Sequence, residues 1–287
     1  MKRSIIMVLA AMMVCIPVFS QEIIEKGLRF CESTFSYDGG LLVASFGSDQ
    51  LNPLNDEGKG YITFFKDGKS TVIAGKDGNL SAPKGMFVGN GKLYVCDVNK
   101  IVVYDLKSKS EKPQIVRMEK DDLFVNDIVS DGKYLYVSVT NTGRIYRYDI
   151  LKSGQLGKGT LWLTVPGPNG LAIRDGKMYI ASYPADGVTT DDHVLYVVKD
   201  LASPVAEKLI TIPGQYDGIA FSEDGKYLYY TNWTPAEVSV MDMTSGKVSA
   251  LKLNLGKPLA GPADITVDGG YLYIPDLPAS RVVKVRL

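Results

Sequence analysis

Apolar and polar residues alternate through SDGKYLYVSVTNTGRIYRYD, residues 130–149. Leu135, Val137 and Val139 fall on one side and Tyr134, Tyr136 and Ser138 on the other, the period of two that a strand requires. Asp131-Gly132, ahead of that run, predicts a two-residue hairpin turn, because Gly takes up positive φ without a Cβ clash. The same arrangement recurs as YDGGLLVASF, GNGKLYVCDV, RDGKMYIASY, EDGKYLYYTN and VDGGYLYIPD. Its turn glycines are Gly39, Gly91, Gly132, Gly176, Gly225 and Gly269. That spacing, about 40–50 residues, is the length of a four-stranded propeller blade. A second marker stands ahead of each turn: CESTF, PKGMF, VNDIV, PNGLA, YDGIA and PADIT. The pattern predicts an all-β fold, a six-bladed β-propeller, over residues 21–287.

The blades fall at about residues 32–75, 84–118, 126–165, 169–212, 217–254 and 264–287. The last repeat holds only three strands, whereas EIIEKGLRF, residues 22–30, sits where every other repeat has its outermost strand. The N-terminal strand is therefore predicted to complete the sixth blade and close the ring, removing an open sheet edge.

Residues 1–20 read as a cleaved secretory signal. Lys2 and Arg3 precede the apolar run IIMVLAAMMVCI, which is too short to span a bilayer, and Val18 and Ser20 suit a cleavage that leaves Gln21 first. The expectation is a periplasmic or secreted protein with no membrane span after cleavage. The residues around Cys15 do not suit a lipid anchor. In an oxidising compartment Cys31 and Cys96 either pair or stay as two buried thiols. The chain carries 32 basic and 32 acidic residues, a balance that argues against a nucleic-acid partner. It also lacks a phosphate-binding glycine loop of the P-loop kind.

In an up-and-down blade the segment leading into the innermost strand and the loop between the second and third strands lie at one end of the ring. The six markers then converge on one mouth of the central channel. Their first ring position reads Glu32, Lys84, Asn126, Asn169, Asp217 and Ala263, and the next Ser33, Gly85, Asp127, Gly170, Gly218 and Asp264. Carboxylates and amides aimed at one axis suit a hard divalent cation or a polar ligand, whereas a single marker of this kind more often caps its own turn. With one histidine in the chain, His193, a His-rich site and a Ser-His-Asp set have no support. Asp97, Asn232 and Asp276 end second strands and are further candidates to face the mouth. Two long loops, residues 46–59 and 183–193, are placed to cover it, with Tyr183 and Trp233 available to stack on a ring.

Glu32, Asn126-Asp127, Asn169-Gly170-Leu171-Ala172 and Asp217-Gly218 resemble the markers of the gluconolactonase/senescence-marker-protein (regucalcin-like) propellers. The resemblance implies a divalent cation held by Glu32, Asn169 and Asp217, with Ca²⁺ expected first and Mg²⁺, Mn²⁺ or Zn²⁺ as alternatives. It implies Asp217 as general base and Asn126 on the substrate side. Asp127, Lys84, Asp264, Tyr183 and Asn232 complete the expected substrate-binding set. Phe124 stands where the family often carries an Arg that handles polar sugar groups. The expected activity is metal-dependent hydrolysis of a lactone or related sugar ester. The alternative is a non-catalytic propeller that binds a sugar, peptide or protein at the same mouth.

Overall fold

The computed structural model describes residues 21–108 and 110–287, so the expected signal at residues 1–20 lies outside the described residues. Six four-stranded antiparallel sheets form a six-bladed β-propeller. Blade 1 comprises β2 (Cys31–Tyr37), β3 (Gly40–Ser45), β4 (Tyr61–Lys66) and β5 (Lys69–Gly75). Blade 2 comprises β6 (Pro83–Gly89), β7 (Lys92–Asp97), β8 (Lys100–Asp105) and β9 (Gln114–Arg117), and blade 3 comprises β10 (Val125–Ser130), β11 (Tyr134–Val139), β12 (Arg144–Ile150) and β13 (Leu156–Thr164). In blade 4 the strands are β14 (Pro168–Arg174), β15 (Lys177–Ser182), β16 (Tyr196–Val198) and β17 (Ala206–Lys208). Blade 5 holds β18 (Tyr216–Phe221), β19 (Tyr227–Asn232), β20 (Glu237–Asp242) and β21 (Val248–Ala250). Blade 6 runs β22 (Thr266–Asp268), β23 (Tyr271–Asp276) and β24 (Arg281–Arg286), and β1 (Gln21–Ile24) adds to it as the outer strand. Among the described residues no helix is long and apolar enough to cross a membrane.

The closing strand is shorter than the nine residues expected. Only Gln21–Ile24 pairs with β24, because the chain must then cross from the outer edge of blade 6 to the innermost strand of blade 1. It turns through Gly27 and Phe30, both at positive φ, and the Phe30 N–H donates to Ser280 Oγ at 2.9 Å.

Alternation along each strand feeds two different interfaces. In β11, Leu135, Val137 and Val139 pack with Tyr94, Cys96 and Ile101 of blade 2, while Tyr136 packs with residues of blade 4. The core is thus a set of apolar seams between neighbouring blades, and burying both faces of every sheet is what makes the ring cohere. The two thiols sit in separate seams, Cys31 between blades 6 and 1 and Cys96 between blades 2 and 3. Both are free, so the pairing alternative is not realised.

The first hairpin turn is tight in four blades, where Asp38-Gly39, Asn90-Gly91, Asp175-Gly176 and Gly269-Gly270 all have positive φ at both central positions. Blade 3 departs from the two-residue turn expected at Asp131-Gly132. Ser130 pairs with Leu135, and Asp131 Oδ1 accepts the N–H groups of Lys133 and Tyr134 at 2.8 and 2.7 Å, stabilising a wider loop. Blade 5 widens likewise, with Phe221 opposite Leu228. In both blades a serine hydroxyl helps close the wider loop: Ser130 Oγ donates to the Tyr134 carbonyl, and Ser222 Oγ accepts the Tyr227 N–H, both at 2.9 Å.

Candidate functional site

Each inner strand of blades 1 to 5 carries a register irregularity at its marker. In blade 3, Val125 faces Val139 and Ile128 faces Val137, so three steps on the inner strand match two on its neighbour. A bulge of this kind re-aims the side chain it carries and leaves a backbone group unpaired. Here it turns Lys84, Asn126, Asn169 and Asp217 into the mouth. The residue after the ring position is often Gly because the inner strands crowd one another around the axis. A Cβ on Gly170 would lie 2.3 Å from the Asp217 carbonyl oxygen, and one on Gly218 would lie 2.6 Å from Ala263 O.

Hydroxyls on the second strands satisfy the bulged backbone. Ser138 Oγ accepts from the Asp127 N–H at 2.9 Å and donates to the Asn169 carbonyl at 2.7 Å. Thr231 Oγ1 accepts from the Gly218 N–H at 2.7 Å and donates to the Ala263 carbonyl at 3.0 Å. Each hydroxyl therefore ties a marker in its own blade to the ring position of the next. These positioning residues are absent from the sequence expectations; their only trace is a small hydroxyl residue inside the apolar runs YVSV and YYTN.

Glu32, Lys84, Asn126, Asn169, Tyr183 and Asp217 line one cavity of about 370 Å³ at the mouth. Both long loops reach it, through Leu51 and Pro53 on one side and residues 183–187 on the other. Four oxygens of this ring, Glu32 Oε2, Asn126 Oδ1, Asn169 Oδ1 and Asp217 Oδ1, are buried and have no hydrogen-bond partner. Lys84 is fully buried beside them, and its Nζ donates to the carbonyls of Pro53 and Ala82, both at 3.0 Å. The ammonium also lies 5.4 Å from the Phe46 ring centre and 5.1 Å from that of Phe124.

Burial dominates the electrostatics. It pushes the Asp217 carboxyl up to about 7, with Asp127 adding to the rise and Lys84 opposing it. Glu32 is raised well above the usual carboxylate range by burial and by the charge of Asp217, again opposed by Lys84. Burial lowers Lys84, and Glu32 works against that. Tyr183 is pushed up to about 12 by burial and by Asp217.

The other expected residues go elsewhere. Asp127 and Asp264 lie deeper, lining the channel toward its opposite end. Asp127 accepts the N–H groups of Ile128 and Leu171 at 2.7 and 2.6 Å, and Asp264 accepts from Ser33 Oγ at 2.6 Å. Asn232, Asp97 and Asp276 do not face the cavity. Asn232 Oδ1 accepts the Gln215 N–H at 2.8 Å; Asp97 takes those of Ser81 and Ala82, and Asp276 those of Ala260 and Gly261. In blades 2, 5 and 6 the segment leading into the inner strand presents N–H groups with no strand partner, and the carboxylate or amide at the end of the second strand latches them. Trp233, by contrast, lines the cavity, while His193 sits on the rim outside it, beside Thr190.

Among the described residues, no three His, Cys, Asp or Glu side chains form a group able to hold a metal ion. A cation at the mouth would need the Asn126 or Asn169 amide oxygens beside the Glu32 and Asp217 carboxylates. The unpartnered oxygens on all four fit that role, and the Lys84 ammonium opposes it.

No family model matches the chain, and no curated protein sequence matches it. Solved structures do resemble it. Virginiamycin B lyase from Staphylococcus aureus superposes with a TM-score of 0.62 at 15% identity, covering 94% of this chain and 99% of the lyase. A catalytically inactive variant of that lyase with quinupristin gives a TM-score of 0.58 at 15% identity, covering 94% and 99%. A protein of unknown function from Bacteroides thetaiotaomicron VPI-5482 gives 0.65 at 14% identity, covering 93% of this chain and 76% of its own. At such identities the likeness is one of fold, and it places this chain among the six-bladed propellers.

Proposed function

We propose that the chain hydrolyses a lactone or related ester in the mouth cavity, with Asp217 as general base. The observation that supports this is the set of four buried, unpartnered oxygens contributed by four different blades to one cavity. An acceptor left unmet in a protein interior costs about 1–3 kcal/mol, so such a set is expected where a ligand completes it. Glu32, Asn169 and Asp217 would hold a divalent cation, which when bound polarises an ester carbonyl and supplies a nucleophile from water near neutral pH. Asn126, on the same cavity, would face the substrate. Burial raises Asp217 to about 7 in the cation-free chain, and a bound cation would lower it, keeping the carboxylate ionised and able to take a proton from water at neutral pH. Lys84 spends two of its donors on Pro53 and Ala82, which leaves its third N–H for the oxygen that gains charge as the carbonyl is attacked.

The Staphylococcus aureus lyase has a catalytically inactive form in which a histidine is replaced by alanine. The single histidine here lies on the rim and not in the cavity, so the reaction assigned to this chain is built on carboxylates. The replacement Asp217→Asn keeps the shape and removes both the base and one of the two carboxylate charges proposed to hold the cation. It is expected to lower lactone turnover by about 10²-fold or more, with the melting temperature no lower than in the parent. A panel of lactones and esters left untouched by the parent with Ca²⁺, Mg²⁺ or Mn²⁺ would sink the hydrolase reading and leave a binding propeller.

A further inference from the structure

The cavity is polar at its floor and mainly apolar around its walls. The floor is the ring of Glu32, Lys84, Asn126, Asn169 and Asp217, and the blade-4 loop adds the polar side chains of Tyr183 and Asp186 at one side. Above the floor the other walls are Phe46 and Leu51 from blade 1, Phe124 from the segment leading into blade 3, Trp233 from blade 5 and Leu277 from blade 6. Apolar surface thus approaches from several directions. The rim continues the trend, with Leu51 39% and Leu54 45% exposed on the loop that Lys84 pins through Pro53.

A polyhydroxylated ring can lay one C–H face on an aromatic side chain, but its equatorial hydroxyls point outward around the whole perimeter. In this cavity the hydroxyls away from the floor and from the Tyr183–Asp186 side would meet Phe, Leu and Trp side chains and lose their water without replacement. An aryl or alkyl body meets the same walls with a gain of about 25 cal/mol for each Å² of apolar surface buried. The volume of about 370 Å³ is near the lower end for small-molecule sites, which suits one ring and a short chain.

We infer that the ligand of this cavity is an aryl or alkyl lactone or ester, its carbonyl end on the polar floor and its apolar body against the aromatic and aliphatic walls, and that it is not a sugar lactone. This rests on the hydrolase reading only for the fate of the carbonyl; which ligand binds is a separate matter. Two six-membered lactones separate the classes: 3,4-dihydrocoumarin and D-glucono-δ-lactone. Calorimetry on the full chain with Ca²⁺ would compare their hydrolysis products, 3-(2-hydroxyphenyl)propionate and gluconate, and a parallel assay would follow turnover of the lactones. The aryl acid is expected to bind at least ten-fold more tightly, and Phe124→Ser to erase most of that margin. Aryl binding without turnover upholds this inference and sinks the hydrolase reading. Equal or tighter binding of gluconate, preferred turnover of the sugar lactone, or no binding of either acid overturns the inference.

Discussion

Lys84 is the residue on which the electrostatics of the mouth turn. Its ammonium is buried with Glu32 and Asp217, and both carboxyls are held lower than burial alone would leave them because it is there. Replacing it with Met removes that charge and strips two carbonyls of their donor. Lys84→Met is therefore expected to lose roughly 3–5 kcal/mol of stability without added cation. It is also expected to bind Ca²⁺ more tightly, since a like charge has left the cavity. Melting curves and calorimetry with and without Ca²⁺ check both halves, and unchanged cation affinity would show that Lys84 does not share a field with the ring. The alignment of markers put Lys84 at its ring position but left the direction of its long side chain open. Asp97 and Asp276 were harder to read. An Asp at a strand end serves equally as a ligand or as a cap, and what decides is whether nearby backbone N–H groups lack partners, which only the path of the chain reveals.

At the level of elements, the site depends on bulges held by latches. The alternation of apolar residues and the repeated glycines made the strands and their order legible. The bulges were not, because a one-residue irregularity leaves the period-2 pattern intact on either side. Blade 6 shows how much a latch carries. Its inner strand, β22, is only three residues long, and the segment before it is fixed by Asp276, which is fully buried and paired with Arg281. Arg281 in turn donates to the carbonyls of Lys257 and Pro258 at 2.9 and 2.7 Å. Asp276→Ala would leave a buried guanidinium without its counter-charge and two N–H groups unmet, and a loss of about 3–5 kcal/mol is expected. Hydrogen exchange should show the protection lost first in residues 257–287 and in β1. Uniform loss around the ring would mean that the latch is not local.

For the whole molecule, the carboxyls gathered on the axis set a pH dependence. Asp127 and Asp217 are raised from 3.8 to about 7, and Glu32 and Asp264 well above their usual range, burial being the first cause each time. Between about pH 4 and pH 7 the folded chain thus binds more protons than the unfolded chain, so this contribution to stability is complete at low pH and is lost as pH rises through 7. The magnitude is on the order of 4 kcal/mol for one carboxyl moved that far. In a chelator, the melting temperature is expected to be lower at pH 8 than at pH 5.5. Ca²⁺ should restore most of the difference at pH 8 and release protons as it binds. A profile that is flat in chelator would show that the axial carboxyls are ionised throughout.

The seam of the ring has one more consequence. Gln21 pairs with Val285, so the start of β1 and the end of β24 lie side by side. A linker of a few residues from 21 to 287 would make the backbone a continuous loop, with no privileged place to begin. Reopening it at the Asp175-Gly176 turn gives a circular permutant whose new ends lie between β14 and β15, with every strand still facing its former neighbours. Such a permutant should fold and keep its mouth cavity, because in a closed ring the order in which the blades are synthesised is independent of the order in which they stand.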